Sequence, residues 1–204
     1  MNSLLVTYIL QTEKWTSPEL FETKNRIYTF LNPVSYLIAL ENKSLFEQFD
    51  GIFADGSLLV SAIRLVYGKR VTRRSFDMTS LAPELLNYLM ESRKTLYIVA
   101  SGQEQVECSV RIFQEQYPEL RIAGFRNGYF SSDAEMNKEA SHIVELNPDF
   151  LIVGMGALMQ EKFLLKVKKM GYQGIGFTCG GFVHQTAMNR MHYCLLYTSP
   201  SPRD

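Results

Sequence analysis

The sequence predicts an α/β protein in which a mostly parallel sheet is covered by helices on both faces. Short runs of β-branched and aromatic residues alternate along the chain with amphipathic segments of roughly 10–15 residues, the pattern of repeated strand–helix units. The chain has 204 residues, of which 46% are hydrophobic. This size and composition indicate a single folded domain with one core.

The first half of the chain supplies two strand–helix signals and one further helix. Residues 26–31 form a β-branched and aromatic run, after which Asn32-Pro33 opens a helix to residue 40 with proline in its first turn. Residues 51–54 form a second strand, followed by a helix that begins near Ser57 and is closed by Gly68. Thr79 or Ser80 is the expected N-cap of a helix over 81–92.

The second half repeats the alternation. Strands are predicted over 95–100, 120–125, 149–153 and 174–178. Helices are predicted over 103–116, over 133–146 with Asp133 as the cap, and over 159–170.

Charge and cysteine content exclude several classes of protein. Lys and Arg total 21 against 21 Asp and Glu, which argues against a protein that coats nucleic acid. The three cysteines form no C-x-x-C pair, so a disulfide framework or a structural zinc site is not expected. The uncharged run from Leu4 to Leu10 is too short for a membrane span, and we expect a cytoplasmic protein.

The last eleven residues, 194–204, continue no periodicity and end in a Ser/Pro run that resembles a translated sequencing adapter. We therefore expect a domain over 1–193 followed by a non-native tail.

Small, polar and acidic residues follow every predicted strand, where parallel sheets bind their ligands. These strand-end residues are Asn32, Asp55-Gly56, Ser101-Gly102, the turn 126–129, the segment 154–161 and the turn 179–181. The sequence therefore predicts a binding cleft at the carboxyl edge of the sheet.

Gly154-Met155-Gly156 is a glycine-rich turn between a strand and a helix, and such turns can cradle a phosphate. A third glycine of a dinucleotide fingerprint would fall at Met159, so tight packing explains the turn about as well. Beyond it, Gln160 has a plain interpretation as a surface residue, and Glu161 as a carboxylate that complements the helix dipole.

Asp55 has two interpretations, as an N-cap of the following helix or as a general base that takes a proton from a hydroxyl. Five cations then follow within eleven residues, at Arg64, Lys69, Arg70, Arg73 and Arg74. They fit a solvated helix end or a clamp for a diphosphate. Since no Asp-x-Asp pair is present to hold a metal, a diphosphate leaving group would depend on such cations and on helix N-termini.

The histidines add no metal site. His142 is expected on a helix surface, and His184 is expected to form a structural hydrogen bond rather than to act in catalysis. No His/Cys/Glu spacing typical of a metal centre occurs.

Seven segments between residues 26 and 187 together resemble the WecB/TagA/CpsF glycosyltransferase family. They are 28–33, 54–56, 73–81, 124–130, 147–149, 153–162 and 179–182. The resemblance implies a Rossmann-like fold and an inverting enzyme that moves N-acetylmannosamine or a related sugar from a UDP-sugar to an undecaprenyl-diphosphate-linked acceptor. It also implies catalysis without a metal or other cofactor, in the synthesis of teichoic acid or another cell-surface polysaccharide.

The resemblance also implies roles for individual residues. Asp55 matches the proposed base, Thr29 and Asn32 match cleft residues near the sugar, and Gln160 matches a glutamine positioned for the donor. Arg73 matches an arginine near the diphosphate, with Arg74 nearly as good. Gly102, Asn127, Gly128 and Tyr129 look like the nucleotide-side turns, and Gly154 and Gly156 are expected to bind substrate as well.

Two departures from the family pattern stand out. Ala157-Leu158-Met159 fills a stretch where many members carry proline. The Arg- and aromatic-rich C-terminal segment that docks family members on the membrane is lacking, so we expect a truncated chain that would act as a peripheral protein at the inner face of the plasma membrane. Self-association follows from the resemblance alone.

Two alternatives stay open on the sequence. One is a nucleotide-binding oxidoreductase on the same kind of sheet, against which the incomplete glycine fingerprint counts. The other is a non-catalytic protein that binds sugar nucleotides.

Overall fold

Six parallel strands form one sheet in the order β2-β1-β6-β5-β3-β4. The computed structural model describes residues 4–188, so the predicted domain end at 193 and the tail over 194–204 lie outside the described residues. The strands are β1 (Arg26–Leu31), β2 (Gly51–Ala54), β3 (Thr95–Ala100), β4 (Arg121–Arg126), β5 (Phe150–Gly154) and β6 (Ile175–Thr178).

Nine helices lie between and before these strands in the described part of the chain. They are α1 (Leu4–Thr12), α2 (Ser17–Glu22), α3 (Pro33–Glu41), α4 (Lys43–Phe46), α5 (Ser57–Tyr67), α6 (Leu81–Glu91), α7 (Gln103–Gln116), α8 (Asp133–Leu146) and α9 (Met159–Lys169). Residues 182–188 are helical as well. The sequence did not predict α1, α2 or α4.

Helices cover both faces of the sheet, as predicted. On one face, α1, α3, α4, α5, α8 and α9 pack against inward side chains such as Ile27 and Leu151. On the other face, α2, α6 and α7 pack against Tyr28, Phe150 and Phe177. Because strand neighbours such as Ile27 and Tyr28 point to opposite faces, each strand contributes to both cores, and the fold class is confirmed.

The carboxyl ends of the strands meet at one edge of the sheet. Leu31 of β1 is level with Ala54 of β2, and Ala100 of β3 is level with Gly154 of β5. Since all strands run in parallel, the loops that follow them gather on the same side.

Several predicted details differ from the structure at element ends. Ser132, not Asp133, caps α8, because its hydroxyl accepts a hydrogen bond from the Glu135 backbone N–H. Ser80 stands at the N-cap of α6 without a capping side-chain bond. Strand β4 is displaced by one residue from the predicted range. Asn32, in contrast, caps α3 with its side chain and is followed by proline, as expected.

Candidate active site

A cavity of about 1090 Å³ opens at the carboxyl edge of the sheet. Its wall includes residues that follow all six strands: Asn32, Asp55, Ser101, Gly102, Gly128, Tyr129, Gly154, Gly156, Cys179 and Gly180. This confirms the predicted cleft. Its volume is slightly above the usual range for small-molecule sites, roughly 300–1,000 Å³, so it has room for two substrates.

Asp55 lies on the cavity wall and is not a helix cap. The N-cap of α5 is Gly56, whose φ of 85° suits glycine, and α5 receives no side-chain cap. The Asp55 backbone N–H donates to the Leu31 carbonyl at 2.8 Å, and the buried Ser75 hydroxyl donates to Asp55 Oδ1. Among residues 4–188 no group donates to Oδ2. The carboxylate is therefore anchored through one oxygen, with the other available to a ligand.

The two arginines after α5 differ in what holds them. Arg73 pairs with Asp77 at 2.7 Å and also donates to Thr79. The Arg74 backbone lies beside the end of β2, where its N–H donates to the Ala54 carbonyl at 2.9 Å. Its guanidinium lies over the Phe53 ring. Its Nη1 is buried, and no residue in the described part of the chain accepts a hydrogen bond from it. Neither arginine is part of the cavity wall. Because Arg73 is held by Asp77, the guanidinium with an unused donor among the described residues is that of Arg74.

The glycine turns bring backbone close to backbone at the cavity floor. A Cβ on Gly154 would lie 2.6 Å from the Gly180 carbonyl oxygen, so only glycine fits there. The Gly128 N–H donates to the Ser101 carbonyl at 2.8 Å, which joins the turn after β4 to the turn after β3. Ser101 and Leu158 adopt left-handed φ values of 55° and 68° at these turns, which the sequence did not indicate.

Gln160 is buried, which overturns its interpretation as a surface residue, and its neighbour Glu161 is buried as well. Gln160 is 5% exposed and Glu161 is fully buried at the start of α9. Gln160 Nε2 donates to Glu161 Oε1 at 2.9 Å, and the Gly180 N–H donates to Gln160 Oε1 at 3.2 Å. Both ends of the Gln160 amide are therefore held, and the side chain reaches the cavity wall in one orientation.

Thr29 lies beneath the cavity rather than on its wall. Its hydroxyl donates to Glu161 Oε1 at 3.0 Å and shares a hydrogen bond with the Thr178 hydroxyl at 2.9 Å. Burial raises the pKa of the Glu161 carboxyl, despite the hydrogen bonds from Gln160 and Thr29. Glu161 Oε2 is buried and has no hydrogen-bond partner among the described residues. A buried polar group of this kind signals a role beyond packing.

Of the remaining predicted residues, Gly102, Tyr129 and His184 line the cavity. Asn127 does not line it, but its side chain bonds the Tyr129 N–H and Gln103, which holds Tyr129 on the wall with 75% of its surface exposed. Gly102 is the N-cap of α7, with its backbone facing the cavity. His184 lines the cavity and is exposed, and no hydrogen bond to it is found among the described residues.

Neither a metal-binding cluster nor a membrane-spanning helix occurs among the described residues. Within residues 4–188 no three His, Cys, Asp or Glu side chains converge in a way that could hold a metal ion. Every helix in that range is too short or too polar to cross a bilayer.

Comparison with known proteins places this cavity among glycosyltransferases. The chain matches the Glycosyl transferase WecG/TagA/CpsF family over residues 10–190. It is 32% identical, over 82% of this chain and 70% of the relative, to the UDP-Gal:alpha-D-GlcNAc-diphosphoundecaprenol beta-1,4-galactosyltransferase of Shigella boydii.

Two more distant relatives are named for a different activity. An N-acetylglucosaminyldiphosphoundecaprenol N-acetyl-beta-D-mannosaminyltransferase of Bacillus subtilis (strain 168) is 23% identical over 89% of this chain and 69% of its own length. A protein of the same name from Staphylococcus aureus (strain NCTC 8325 / PS 47) is 25% identical over 70% of this chain and 56% of its own length.

Proposed function

The chain belongs to the WecG/TagA/CpsF glycosyltransferase family and is a hexosyltransferase, and we propose that its cavity joins a UDP-hexose to an undecaprenyl-diphosphate-linked acceptor. The observation that carries this proposal is the strand-end cavity with Asp55 anchored on its wall. The product would enter a cell-surface polysaccharide such as a teichoic acid.

The names of the relatives divide the substrates into a shared part and a variable part. Both kinds of relative use GlcNAc-diphosphoundecaprenol, whereas the transferred sugar is galactose in one and N-acetylmannosamine in the other. The proposed acceptor is therefore GlcNAc-diphosphoundecaprenol, and the donor is UDP-galactose or UDP-N-acetylmannosamine. Both names describe β-linked products, which supports inversion when the UDP-sugar is α-linked.

The proposed base is Asp55. Its carboxylate takes the proton from the acceptor hydroxyl while that oxygen attacks the anomeric carbon and the bond to the UDP oxygen breaks. A well-placed base contributes roughly 10²–10⁴-fold to the rate. The bond from Ser75 supports this role, since it holds the carboxylate at one oxygen only.

The backbone of the Gly154 and Gly156 turn, which lines the cavity, would stabilise the charge on the departing diphosphate. Arg74, whose buried Nη1 has no partner among the described residues, would add its charge after turning from the Phe53 ring toward the cavity. Arg73 would act there only after leaving Asp77. The absence of an Asp-x-Asp pair from the sequence supports a transfer without a divalent metal.

The other residues are assigned to the two substrates by their position. Asn32 and Gln160 would contact the sugar, with Thr29 acting through Glu161 to position Gln160. Gly102, Gly128 and Tyr129 would face the nucleotide, with Asn127 holding the Tyr129 turn. Because the acceptor is anchored in lipid, the protein would work peripherally at the cytoplasmic membrane face.

The experiment that tests this function compares the chain with its Asp55→Asn variant. UDP binding is measured by calorimetry, and transfer is measured with both UDP-sugars and a short-chain GlcNAc-diphospholipid. We expect the variant to bind UDP as the parent does and to lose about 10²–10⁴-fold in turnover. Unchanged turnover would remove Asp55 from the base role, and stabilisation of the chain by NAD but not by UDP would overturn the proposed function.

A further inference from the structure

Helices α3 and α5 present an apolar surface that nothing in the described chain covers. Among residues 4–188, six large apolar side chains are more than 60% exposed, and five of them lie on these two helices. The five are Val34 (69%), Leu37 (64%), Leu58 (69%), Leu65 (87%) and Val66 (69%). The helical spacing of Leu58 and Val66 resembles that of core residues, yet only Leu59 and Ile63 of α5 are buried.

Two of these exposed side chains, Leu37 and Val66, line a groove between the two helices. The groove has a volume of about 280 Å³ and is lined by Pro33, Tyr36, Leu37, Leu59, Ala62, Ile63, Val66 and Tyr67. A soluble monomer rarely leaves such a continuous apolar surface open, so the surface is expected to meet a partner.

The charged side chains in the segment that contains α5 are all positive. Between Asp55 and Asp77 the chain carries five cations and no carboxylate, although the whole protein has no net charge. Three of these cations, Arg64, Lys69 and Arg70, are exposed at the end of α5 and just after it. On α3 the single charged residue is Glu41, at its last position. Exposed aliphatic side chains beside cations that form no ion pair within residues 4–188 match an anionic lipid surface, which takes up both.

The surface begins at the edge of the candidate active site. Both helices start directly after residues of the cavity wall, α3 after Asn32 and α5 two residues after Asp55. Val34 and Leu58 are in the first turns of these helices, so the apolar surface adjoins the cavity. A lipid layer on this surface would bring membrane-anchored substrates to the cavity.

We propose that the exposed face of α3 and α5, with Arg64, Lys69 and Arg70, docks on an anionic phospholipid bilayer. The docking surface is argued from exposure and charge alone, and only its biological role rests on the proposed function, in which docking would hold the cavity beside the lipid-linked acceptor. It assigns a membrane contact to residues 33–70, separate from any C-terminal segment.

The test is co-sedimentation of the purified chain with vesicles of phosphatidylglycerol and phosphatidylcholine, compared with vesicles of phosphatidylcholine alone. We expect binding to the anionic vesicles that weakens as salt is raised. In Arg64→Gln/Arg70→Gln the partition coefficient should fall about 25-fold, since each cation near such a surface contributes about fivefold. The matched control, Lys138→Gln/Lys162→Gln, removes two exposed cations elsewhere and should bind as the parent does.

A second pair of variants tests the apolar part. Leu65→Gln/Val66→Gln should lower the partition coefficient about tenfold or more, and these side chains are too exposed for the change to unfold the chain. Leu146→Gln/Met170→Gln changes two apolar residues that are 43% and 41% exposed on other helices, and should bind normally. Circular dichroism and thermal melting verify that each variant is folded.

Three results would overturn the proposal. The first is equal binding to both kinds of vesicle, and the second is an equal loss of partition coefficient in test and control variants. The third is a dimer in light scattering that Leu65→Gln/Val66→Gln dissociates, which would show that a second copy covers the face.

Transfer to a short-chain acceptor in solution separates the two proposals. If transfer persists without vesicle binding, docking alone fails, and if vesicle binding persists without transfer, the proposed function fails.

Discussion

The Gly154→Ala substitution tests whether close contact between the loops after β5 and β6 forms the floor of the cavity. The added Cβ would lie 2.6 Å from the Gly180 carbonyl oxygen and 2.8 Å from Cys179 Sγ. The backbone oxygen would have to retreat by about 0.7 Å to reach the ~3.3 Å of a close C–H···O contact. Because that oxygen belongs to a turn with a positive φ at Gly180, the loop must move as a unit.

The expected cost follows from this geometry. Overpacking of this kind costs about 1–3 kcal/mol, and the lower freedom of alanine in the unfolded chain returns about 0.4–1 kcal/mol. A net loss of about 1–2 kcal/mol lowers the melting temperature by roughly 2–8 °C for a protein of this size. UDP affinity should fall as well, because Gly154 and Gly180 both line the cavity.

The assays are thermal unfolding by circular dichroism and UDP binding by calorimetry, with Gly181→Ala as the matched control. The Cβ added in the control would lie 3.6 Å or more from any atom outside its immediate chain neighbours, so a change of less than about 1 kcal/mol is expected. A Gly154→Ala variant that is as stable as the control and binds UDP equally well would refute the reasoning.

Two further predictions concern the side chains that hold the candidate site. Ser75→Ala removes the hydroxyl that donates to Asp55, and since a hydrogen bond to a charged group contributes about 1.5–3 kcal/mol, turnover should fall roughly 10–150-fold while UDP affinity stays the same. Unaltered turnover in a steady-state assay would show that Asp55 does not depend on this bond. Burial raises the pKa of Glu161, so its contribution to stability is complete below the ordinary pKa of 4.5 and is lost as pH rises through the raised value. Urea titrations from pH 4.5 upward should therefore show a smaller decline in unfolding free energy in Glu161→Gln than in the parent, and equal slopes would contradict the cause assigned to that shift.

Local sequence patterns were sufficient for most of the architecture. Strand β3 and helix α7 have the bounds that the hydrophobic periodicity predicts, and Asn32-Pro33 starts α3 where the capping pattern indicates. These features depend on residues near one another in the chain, so one sequence contains the information. The position of the cavity followed as well, because the carboxyl ends of parallel strands meet at one edge.

Other features depend on residues far apart in the chain, and only the tertiary structure decided them. Asp55 was equally compatible with a helix cap, until the fold brought Ser75 to its carboxylate. Glu161 was expected to complement the dipole of its helix, and nothing in the sequence indicated that Thr29, 132 residues away, donates to it in the interior.

The sequence by itself determined the alternation of strands and helices, the polar residues at the strand ends and the segments that relate this chain to a glycosyltransferase family. The tertiary structure alone decided which of those residues face the cavity, which are buried beneath it, and that Leu58 and Val66 face outward. The physical reason is that helical periodicity shows which side chains share a face of a helix. Whether that face is buried depends on the elements that pack against it.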